Sequence, residues 1–372
     1  MRINQLSLRN FRNYRQLNIQ LNPYLNIIVG NNAQGKTNIL ESIYLLATTK
    51  SFRASKEEEM IYHTEANSLI VGKIQREAEH TLEIIFNKSS GKKIKYNSKE
   101  TTPAKFIGAF NVVLFTPEDL YLIKGPPSGR RRFLDIEISQ VDKVYRDLLG
   151  DYQKTLVQRN NLLKNISLNR QDSSLLEIWD EQLIELGSKV IIKRAEMIRK
   201  LGLLSRLMHR KLSNGLEELV LKYQPFFIQQ GFNITEYSYQ EVTKQFRQTL
   251  LAVRPMELKR GYSLVGPQRD DFLFLINQLD AKLFGSQGQQ RTAVLACRLA
   301  ELEYMKSETG KYPVILLDDV MSELDQSRKK FLLELLQSRV QTIITTTNLS
   351  DFNDDILQAA SIFTIESGKI IE

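Results

Sequence analysis

The stretch that decides the fold reads Gly30-Asn31-Asn32-Ala33-Gln34-Gly35-Lys36-Thr37, which has the form G-x-x-x-x-G-K-[ST]. The residues before it, 25–29, are mostly apolar and β-branched, as a buried strand requires. After it, apolar residues recur at helical spacing: Ile39, Leu40, Ile43, Tyr44 and Leu46. A strand, a loop and a helix in this order predict a phosphate-binding loop.

Each residue type in this loop has a chemical reason. Glycines let successive backbone N–H groups point at phosphate oxygens, and the start of the following helix adds its dipole. Lys36 can reach the β- and γ-phosphates, and the Thr37 hydroxyl can ligate Mg²⁺. We therefore expect residues 30–37 to bind ATP with Mg²⁺, with Lys36 also taking part in catalysis.

A second set of residues lies about 280 positions further on. Val314 to Leu317 is a continuous apolar run that ends in Asp318 and Asp319. A strand buried in a parallel sheet brings its last residue to the edge where phosphates bind. We expect Asp318 to hold Mg²⁺ and Asp319 to orient the attacking water. The alternative is a surface turn, since many strands end in aspartate.

A third segment opens a predicted long helix and reads Ser286-Gln287-Gly288-Gln289. A hydroxyl and free backbone N–H groups at a helix start can bind an anion. Ser286 could equally be a helix cap and nothing more. The strand that ends in the two aspartates is followed by a segment of apolar and polar residues, Met321-Ser322-Glu323-Leu324-Asp325.

Composition excludes several classes of protein. The 372 residues are 42% hydrophobic and 25% charged, with a formal net charge of +8 that fits a nucleic-acid partner. The single cysteine, Cys297, excludes an intramolecular disulfide and a cysteine zinc site. No apolar run approaches a membrane span, and the first residues lack a signal-peptide core. We expect a cytoplasmic location and no membrane partner.

The pattern along the chain predicts an interrupted α/β domain. Residues 1–138 read as its first part and residues 256–372 as its second part. Residues 139–255 carry two long amphipathic helical patterns around a polar reversal at 165–174, which predicts an antiparallel, coiled-coil-like helical insertion. An ordinary helical subdomain is the alternative, because periodicity does not separate the two. Pro255 marks the predicted exit, and residues 272–276 and 281–284 are expected to form a hairpin around Asn277-Gln278.

The order of these motifs resembles the ATP-binding-cassette ATPase heads, in their chromosome-maintenance and DNA-repair branch. The opening run at 8–14 fits that branch. Two further stretches, residues 117–135 and 316–328, closely resemble the bacterial RecF family. The resemblance implies an α/β P-loop ATPase head with an inserted helical subdomain. It also implies slow ATP hydrolysis, and an ATP-dependent homodimer in which Ser286 to Gln289 contact the γ-phosphate held by the second copy.

The same resemblance implies a role in recombinational DNA repair and replication restart, with RecR as partner and recombinase loading at single-strand gaps. Two positions depart from the expected pattern, since Gln268 and Thr347 stand where the family and the cassette superfamily have histidine. Two groups of cationic residues are candidate DNA contacts: Lys92, Lys93 and Lys95, and Arg130, Arg131 and Arg132. The alternative is that these side chains have a structural role or are simply solvated.

Three other readings stay open at this level. A transporter motor subunit would need a membrane partner. A chromosome-maintenance protein would carry arms of hundreds of residues, where this insertion has about 115. A small-molecule P-loop kinase would have no use for the Ser286 segment. Stimulation of ATP hydrolysis by DNA separates a DNA-repair ATPase from the first and third of these.

Overall fold

A computed structural model describes residues 1–168, 170, 172–227, 238–336 and 340–371. Its strands are β1 (Arg2–Phe11), β2 (Tyr14–Gln20), β3 (Leu25–Val29), β4 (Asn67–Gln75), β5 (Glu79–Asn87), β6 (Gly91–Tyr96), β7 (Lys99–Glu100), β8 (Val112–Phe115), β9 (Leu219–Gln224), β10 (Asp271–Ile276), β11 (Leu279–Asp280), β12 (Val314–Asp318), β13 (Thr342–Thr346), β14 (Ser361–Glu366) and β15 (Lys369–Ile371). Its helices are α1 (Lys36–Thr48), α2 (Pro103–Phe106), α3 (Tyr121–Lys124), α4 (Pro127–Val141), α5 (Lys143–Ser167), α6 (Leu176–Leu212), α7 (Tyr239–Arg260), α8 (Ala281–Phe284), α9 (Gln287–Thr309), α10 (Gln326–Leu336) and α11 (Asp354–Ala359).

The chain divides into two units, one of Met1–Asp119 with Glu301–Glu372 and one of Leu120–Ala300. The domain boundaries expected from the sequence, at 138/139 and 255/256, remain predictions, and they are separate from the local question of where the helix that contains Pro255 ends.

The first unit contains two six-stranded sheets. One sheet has the order β15-β14-β3-β13-β12-β8, in which β14, β3, β13, β12 and β8 run parallel. The other is antiparallel, in the order β2-β1-β4-β5-β6-β7. Helix α1 contacts strands of both sheets and buries its apolar side chains in their common core. A Cβ at Gly72 would lie 2.5 Å from Leu46 Cδ1, so β4 passes close to this helix.

The second unit is mainly helical, and buried ion pairs hold its helices together. Arg159 of α5 is fully buried and donates to Asp180 of α6 and Glu257 of α7, each at 2.6 Å. Arg194 of α6 donates to Tyr145 of α5 at 3.2 Å. Residues late in α5 therefore pair with residues early in α6, and the reverse, so the two helices are antiparallel as the sequence predicts.

Two local predictions are wrong. Pro255 lies inside α7, which continues to Arg260 and ends where Gly261 adopts a φ of 75° and donates its N–H to the Glu257 carbonyl. Residues 281–284 form the short helix α8 rather than a strand. The Asp280 side chain accepts the Lys282 N–H at 2.8 Å and starts this helix, so the hairpin strand is limited to β11.

Candidate nucleotide site

The phosphate-binding loop follows β3 directly, at the carboxyl edge of the parallel sheet. A Cβ at Gly30 would lie 2.4 Å from the Ile365 carbonyl oxygen, so β14 leaves room only for glycine. Gly35 has a φ of 113°, which also favours glycine. Lys36 Nζ donates to the carbonyls of Gly30 at 2.8 Å and Asn31 at 3.1 Å. The ammonium group therefore lies within the loop that would surround a phosphate.

Side chains from the turn between β1 and β2 hold this loop from behind. Asn13 Nδ2 donates to the Gln34 carbonyl at 2.9 Å, and the Tyr14 hydroxyl donates to the Gly35 carbonyl at 3.0 Å. The Gly368 N–H, in the turn between β14 and β15, reaches the same Gln34 carbonyl at 3.2 Å. Because these bonds use backbone carbonyls, they leave the loop N–H groups available to an anion. In the sequence, Asn13 and Tyr14 belong to the opening run at 8–14. The periodicity of that run does not reveal that these side chains support the phosphate loop.

Thr37 and Asp318 meet at the start of α1. The Thr37 hydroxyl donates to Asp318 Oδ1 at 2.9 Å, although the residues are 281 positions apart. Burial raises the pKa of Asp318, while hydrogen bonds from Thr345 and Thr37 act in the opposite direction. A hydroxyl and a carboxylate that converge at a phosphate loop are oxygen donors of the kind that Mg²⁺ takes. The two residues predicted as metal ligands are thus brought together, and they fit that ion.

Thr345 of β13 is a residue that sequence reasoning missed. Its hydroxyl donates to Asp318 Oδ1 at 2.8 Å and accepts the Asp319 N–H at 3.0 Å. Asp319 itself has a φ of 51°, so the chain turns sharply after the strand. The two aspartates therefore leave β12 in different directions, and one threonine holds both. In the sequence, residues 342–346 show only a β-branched run that predicts a strand.

Arg53 is the second missed residue. It is exposed, and its Nη1 donates to the Asn38 Oδ1 atom at 3.2 Å, one residue beyond Thr37. Its charge acts on Asp318, where it lowers the pKa of the carboxyl group. The guanidinium therefore lies at the phosphate edge of the first unit. A lone arginine in the run 50–54 gives no pattern from which this position could be predicted.

The Ser286 segment, residues 285–289, forms a capping box at the start of α9. The Ser286 hydroxyl accepts the Gln289 N–H at 3.2 Å, and the Gln289 side chain accepts the Ser286 N–H at 2.8 Å. The cap that was the modest alternative is therefore present. Ser286, Gln287 and Gly288 are nevertheless exposed, and space around the Gly288 Cα is open.

The two positions that lack the expected histidine differ in their surroundings. Gln268 accepts a hydrogen bond from the Tyr152 hydroxyl and donates to the Val265 carbonyl at 2.8 Å, within the second unit. Thr347 is exposed just after β13, next to Thr346, whose hydroxyl donates to the Asn348 carbonyl at 3.0 Å. Gln268 therefore has structural partners, whereas Thr347 places only a short side chain at the phosphate edge of the sheet.

The lysines proposed as DNA contacts occupy opposite faces of β6. Lys92 Nζ lies 2.6 Å from Glu57 and donates to the Thr49 carbonyl at 3.0 Å, on the inner side. Lys93 is exposed on the outer face, and Lys95 lies there directly across from Glu83 and Glu100 on the neighbouring strands. Lys92 thus has structural partners, and the outer-face pair keeps the more open position.

The arginine run at the start of α4 is partly built into the second unit. Arg130 forms a bidentate pair with Asp271 at 2.6 and 2.9 Å and also donates to three carbonyls between 122 and 125. Arg131 donates to the Asp270 carbonyl at 2.7 Å, and Arg132 is exposed. The first two arginines therefore have the structural role that was their alternative. A DNA role for all six cations remains a prediction.

Within the part of the chain that the structure describes, no helix is long and apolar enough to cross a membrane, and no group of three or more His, Cys, Asp or Glu side chains is arranged to hold a metal ion. The Thr37–Asp318 pair, which supplies only two protein oxygens, is compatible with an ion that retains waters and phosphate oxygens as its other ligands.

Comparison with known proteins gives consistent results. A family model described as the RecF/RecN/SMC N terminal domain matches residues 2–370. Two similar relatives are the DNA replication and repair proteins RecF of Natranaerobius thermophilus and Exiguobacterium sp.. They are 45% and 42% identical, each over 100% of this chain and over 98% and 99% of their own lengths.

Solved structures agree. A structure of the recombination mediator protein RecF-ATP in the RecFOR pathway has a TM-score of 0.91 at 36% identity, with 99% of this chain and 96% of that chain covered. An Smc head domain from Pyrococcus furiosus has a TM-score of 0.54 at 16% identity, over 99% and 95%, and shows a shared fold. The expected fold class, an α/β P-loop ATPase head of the cassette type, is confirmed.

Proposed function

The chain belongs to the RecF family of DNA replication and repair proteins, and from this membership we propose that it binds ATP with Mg²⁺, hydrolyses it slowly and acts on DNA in recombinational repair and replication restart. The observation that carries the proposal is the Thr37–Asp318 hydrogen bond of 2.9 Å, which joins the phosphate loop to the aspartate strand. Two motifs remote in the sequence thus form one oxygen-lined site beside a buried lysine.

The proposed chemistry follows from the charges at this edge. The loop N–H groups and Lys36 bind the β- and γ-phosphates, and Thr37 and Asp318 hold the metal ion, which offsets the charge that develops during phosphoryl transfer. Asp319, at the turn after β12, orients the attacking water. Arg53 provides a further cation near the phosphates. The short side chain of Thr347, where cassette enzymes have histidine, supports slow turnover.

We further propose that the site is completed by a second copy of the chain. The Ser286 segment is an exposed helix start, and the two residues before it, Leu283 and Phe284, are 72% and 68% exposed. Large apolar side chains beside an anion-binding helix start are typical of a surface that a partner covers. In this arrangement Ser286 to Gln289 contact the γ-phosphate held by the other copy, so ATP favours the dimer and ADP does not.

The DNA and protein partners rest on family membership. The names of the relatives describe DNA replication and repair, and the ATP-bound structure is described as part of the RecFOR pathway. We propose duplex DNA and single-strand/duplex junctions as the nucleic-acid ligand, RecR as the protein partner and the cytoplasm as the location.

Nucleotide binding by Lys36→Ala tests the core of the proposal. Lys50, which is exposed just after α1, provides a control in Lys50→Ala. We expect calorimetry to show loss of tight ATP binding in the Lys36 variant alone, because Lys36 supplies the positive charge that the triphosphate needs. ATPase activity measured with and without duplex DNA separates this function from a transporter motor. Unchanged binding and turnover in Lys36→Ala would overturn the assignment.

A further inference from the structure

The helix that follows the phosphate loop contains a buried carboxylate. Glu41 of α1 is fully buried, one turn after Thr37. Arg12 binds both of its oxygens, with Nε at 2.8 Å and Nη2 at 2.6 Å. A buried glutamate is costly unless it is paired and hydrogen-bonded. The Arg12 pair satisfies part of this need, and the remaining contact comes from Ser51.

Ser51 connects this carboxylate to the segment that carries Arg53. Its hydroxyl donates to Glu41 Oε1 at 2.5 Å and accepts the N–H groups of Arg53 at 2.9 Å and Ala54 at 2.8 Å. One buried side chain therefore fixes the backbone on both sides of the Arg53 Cα atom. The serine is 6% exposed, so water does not compete effectively for these bonds.

A second contact holds the same segment from the antiparallel sheet. Lys92 donates to the Thr49 carbonyl at 3.0 Å and lies 2.6 Å from Glu57, at the two ends of the 49–57 stretch. The Arg53 side chain, anchored in between, reaches Asn38 at 3.2 Å. The exposed arginine thus lies on a stretch that has no helix or strand before a 3₁₀ turn begins at Glu57, and this stretch is held at both ends and in its middle.

We propose that Ser51 and Glu41 are positioning residues, which hold the Arg53 guanidinium at the phosphate edge so that it binds the nucleotide phosphates. The inference rests on the proposed ATP site. In addition, the hydrogen bond between Ser51 and Glu41, on the buried side of the loop, determines how tightly the exposed Arg53 guanidinium binds the phosphates. Arg53 on a free loop would lose side-chain and backbone entropy when it bound a phosphate, and Ser51 lowers that cost in advance.

A double-mutant cycle tests the proposal. Binding of a non-hydrolysable ATP analogue is measured by calorimetry for the parent protein, Ser51→Ala, Arg53→Ala and the double variant. We expect Ser51→Ala to weaken binding about threefold to tenfold, the effect of one hydrogen bond, and to have no effect when Arg53 is already alanine. Ser51→Thr, which keeps the hydroxyl, should restore binding.

Controls separate positioning from folding. Ser42→Ala removes a different buried hydroxyl, one that lies in α1 and donates to the Ile39 carbonyl at 2.7 Å, and should leave binding unchanged. Melting temperatures of all variants are measured in parallel. If Ser51→Ala does not fold, Ser51→Cys, whose thiol is a weak donor and a weak acceptor, replaces it in the same cycle with Arg53→Ala. Equal weakening by the serine variant in both Arg53 backgrounds, or none in either, would overturn the proposal, whereas normal binding in Lys36→Ala would overturn the ATP site itself.

Discussion

Thr345→Val tests how the two aspartates are held, because valine keeps the shape of threonine and removes only the hydroxyl. The variant loses the 2.8 Å hydrogen bond to Asp318 and leaves the Asp319 N–H without its acceptor. A hydrogen bond to a charged group contributes about 1.5–3 kcal/mol, and an unsatisfied buried donor costs about 1–3 kcal/mol. Because Asp319 is only half-buried, water replaces part of the lost bond to its N–H, and we expect the free energy of unfolding to fall by about 2–4 kcal/mol at neutral pH.

The same change has a signature in pH. Burial raises the pKa of Asp318, and the Thr345 hydrogen bond opposes that rise by stabilising the carboxylate. In the metal-free protein, a raised pKa contributes stability below the unperturbed value of 3.8, and this contribution is lost as pH rises through the folded-state pKa. Mg²⁺ requires the carboxylate, so Mg²⁺ binding weakens as pH falls through the same range. Without the Thr345 hydroxyl, the midpoint of Mg²⁺ binding should move to higher pH, because the Asp318 carboxylate loses a hydrogen bond that stabilises its charged form.

The assay is a Mg²⁺ titration of analogue binding at a series of pH values. Thr342→Val is the matched control, because Thr342 is buried on the same strand and its hydroxyl donates only to the Val340 carbonyl at 3.3 Å. We expect the control to retain the parent midpoint and to lose less stability. A Thr345→Val protein with the parent's Mg²⁺ midpoint would refute the inference that this hydroxyl supports the metal-binding form of Asp318.

Four further outcomes are expected. Asp319→Asn should retain ATP and lose turnover by about a hundredfold or more in a steady-state assay, and loss of ATP affinity instead would contradict its role. Ser286→Arg should bind ATP but remain monomeric in sedimentation with ATP, while a parent protein that is monomeric with ATP and active would leave Ser286 as a helix cap. Lys93→Ala with Lys95→Ala should lower the log–log salt slope of duplex binding by about 0.9 per phosphate contact, and an unchanged slope removes the outer sheet face from the DNA site. Arg159→Leu should lower the free energy of unfolding by about 3–5 kcal/mol, because Glu257 would remain buried without its cation and Asp180 would keep only its pair with Arg254; a melting temperature equal to the parent's would contradict this.

The sequence predicted the elements that have a strong local pattern. The strand before residue 30, the helix from 36, the two long helices and the turn at Asn277-Gln278 all follow from periodicity or turn chemistry, and the structure has them. The exit at Pro255 failed because proline disfavours a helix interior without excluding it, and α7 packs well enough in the second unit to continue. The 281–284 segment failed because a single capping aspartate decided a short element.

Residues of the candidate site could be predicted only where a sequence motif indicates their chemical role. Gly30 to Thr37 and Asp318 could be found in this way. Thr345 and Arg53 could not be found in this way. The position of Thr345 depends on which strands are neighbours, and that of Arg53 depends on the contacts that hold its loop. Neither produces a periodic pattern in the sequence. For the same reason the lysine pattern at 92–95 predicted a cationic strand but could not show that Lys92 has buried partners while Lys93 is exposed.

The position of β3 in its sheet has a consequence for protein synthesis. Its two neighbours are β13 and β14, which the ribosome makes more than 300 residues later. The Gln34 carbonyl likewise waits for Gly368. A nascent chain that has released the phosphate loop but not residues 342–368 lacks both strands that pair with β3. We therefore expect the phosphate loop to reach its final conformation, and nucleotide binding to become possible, only when translation of the chain is almost finished.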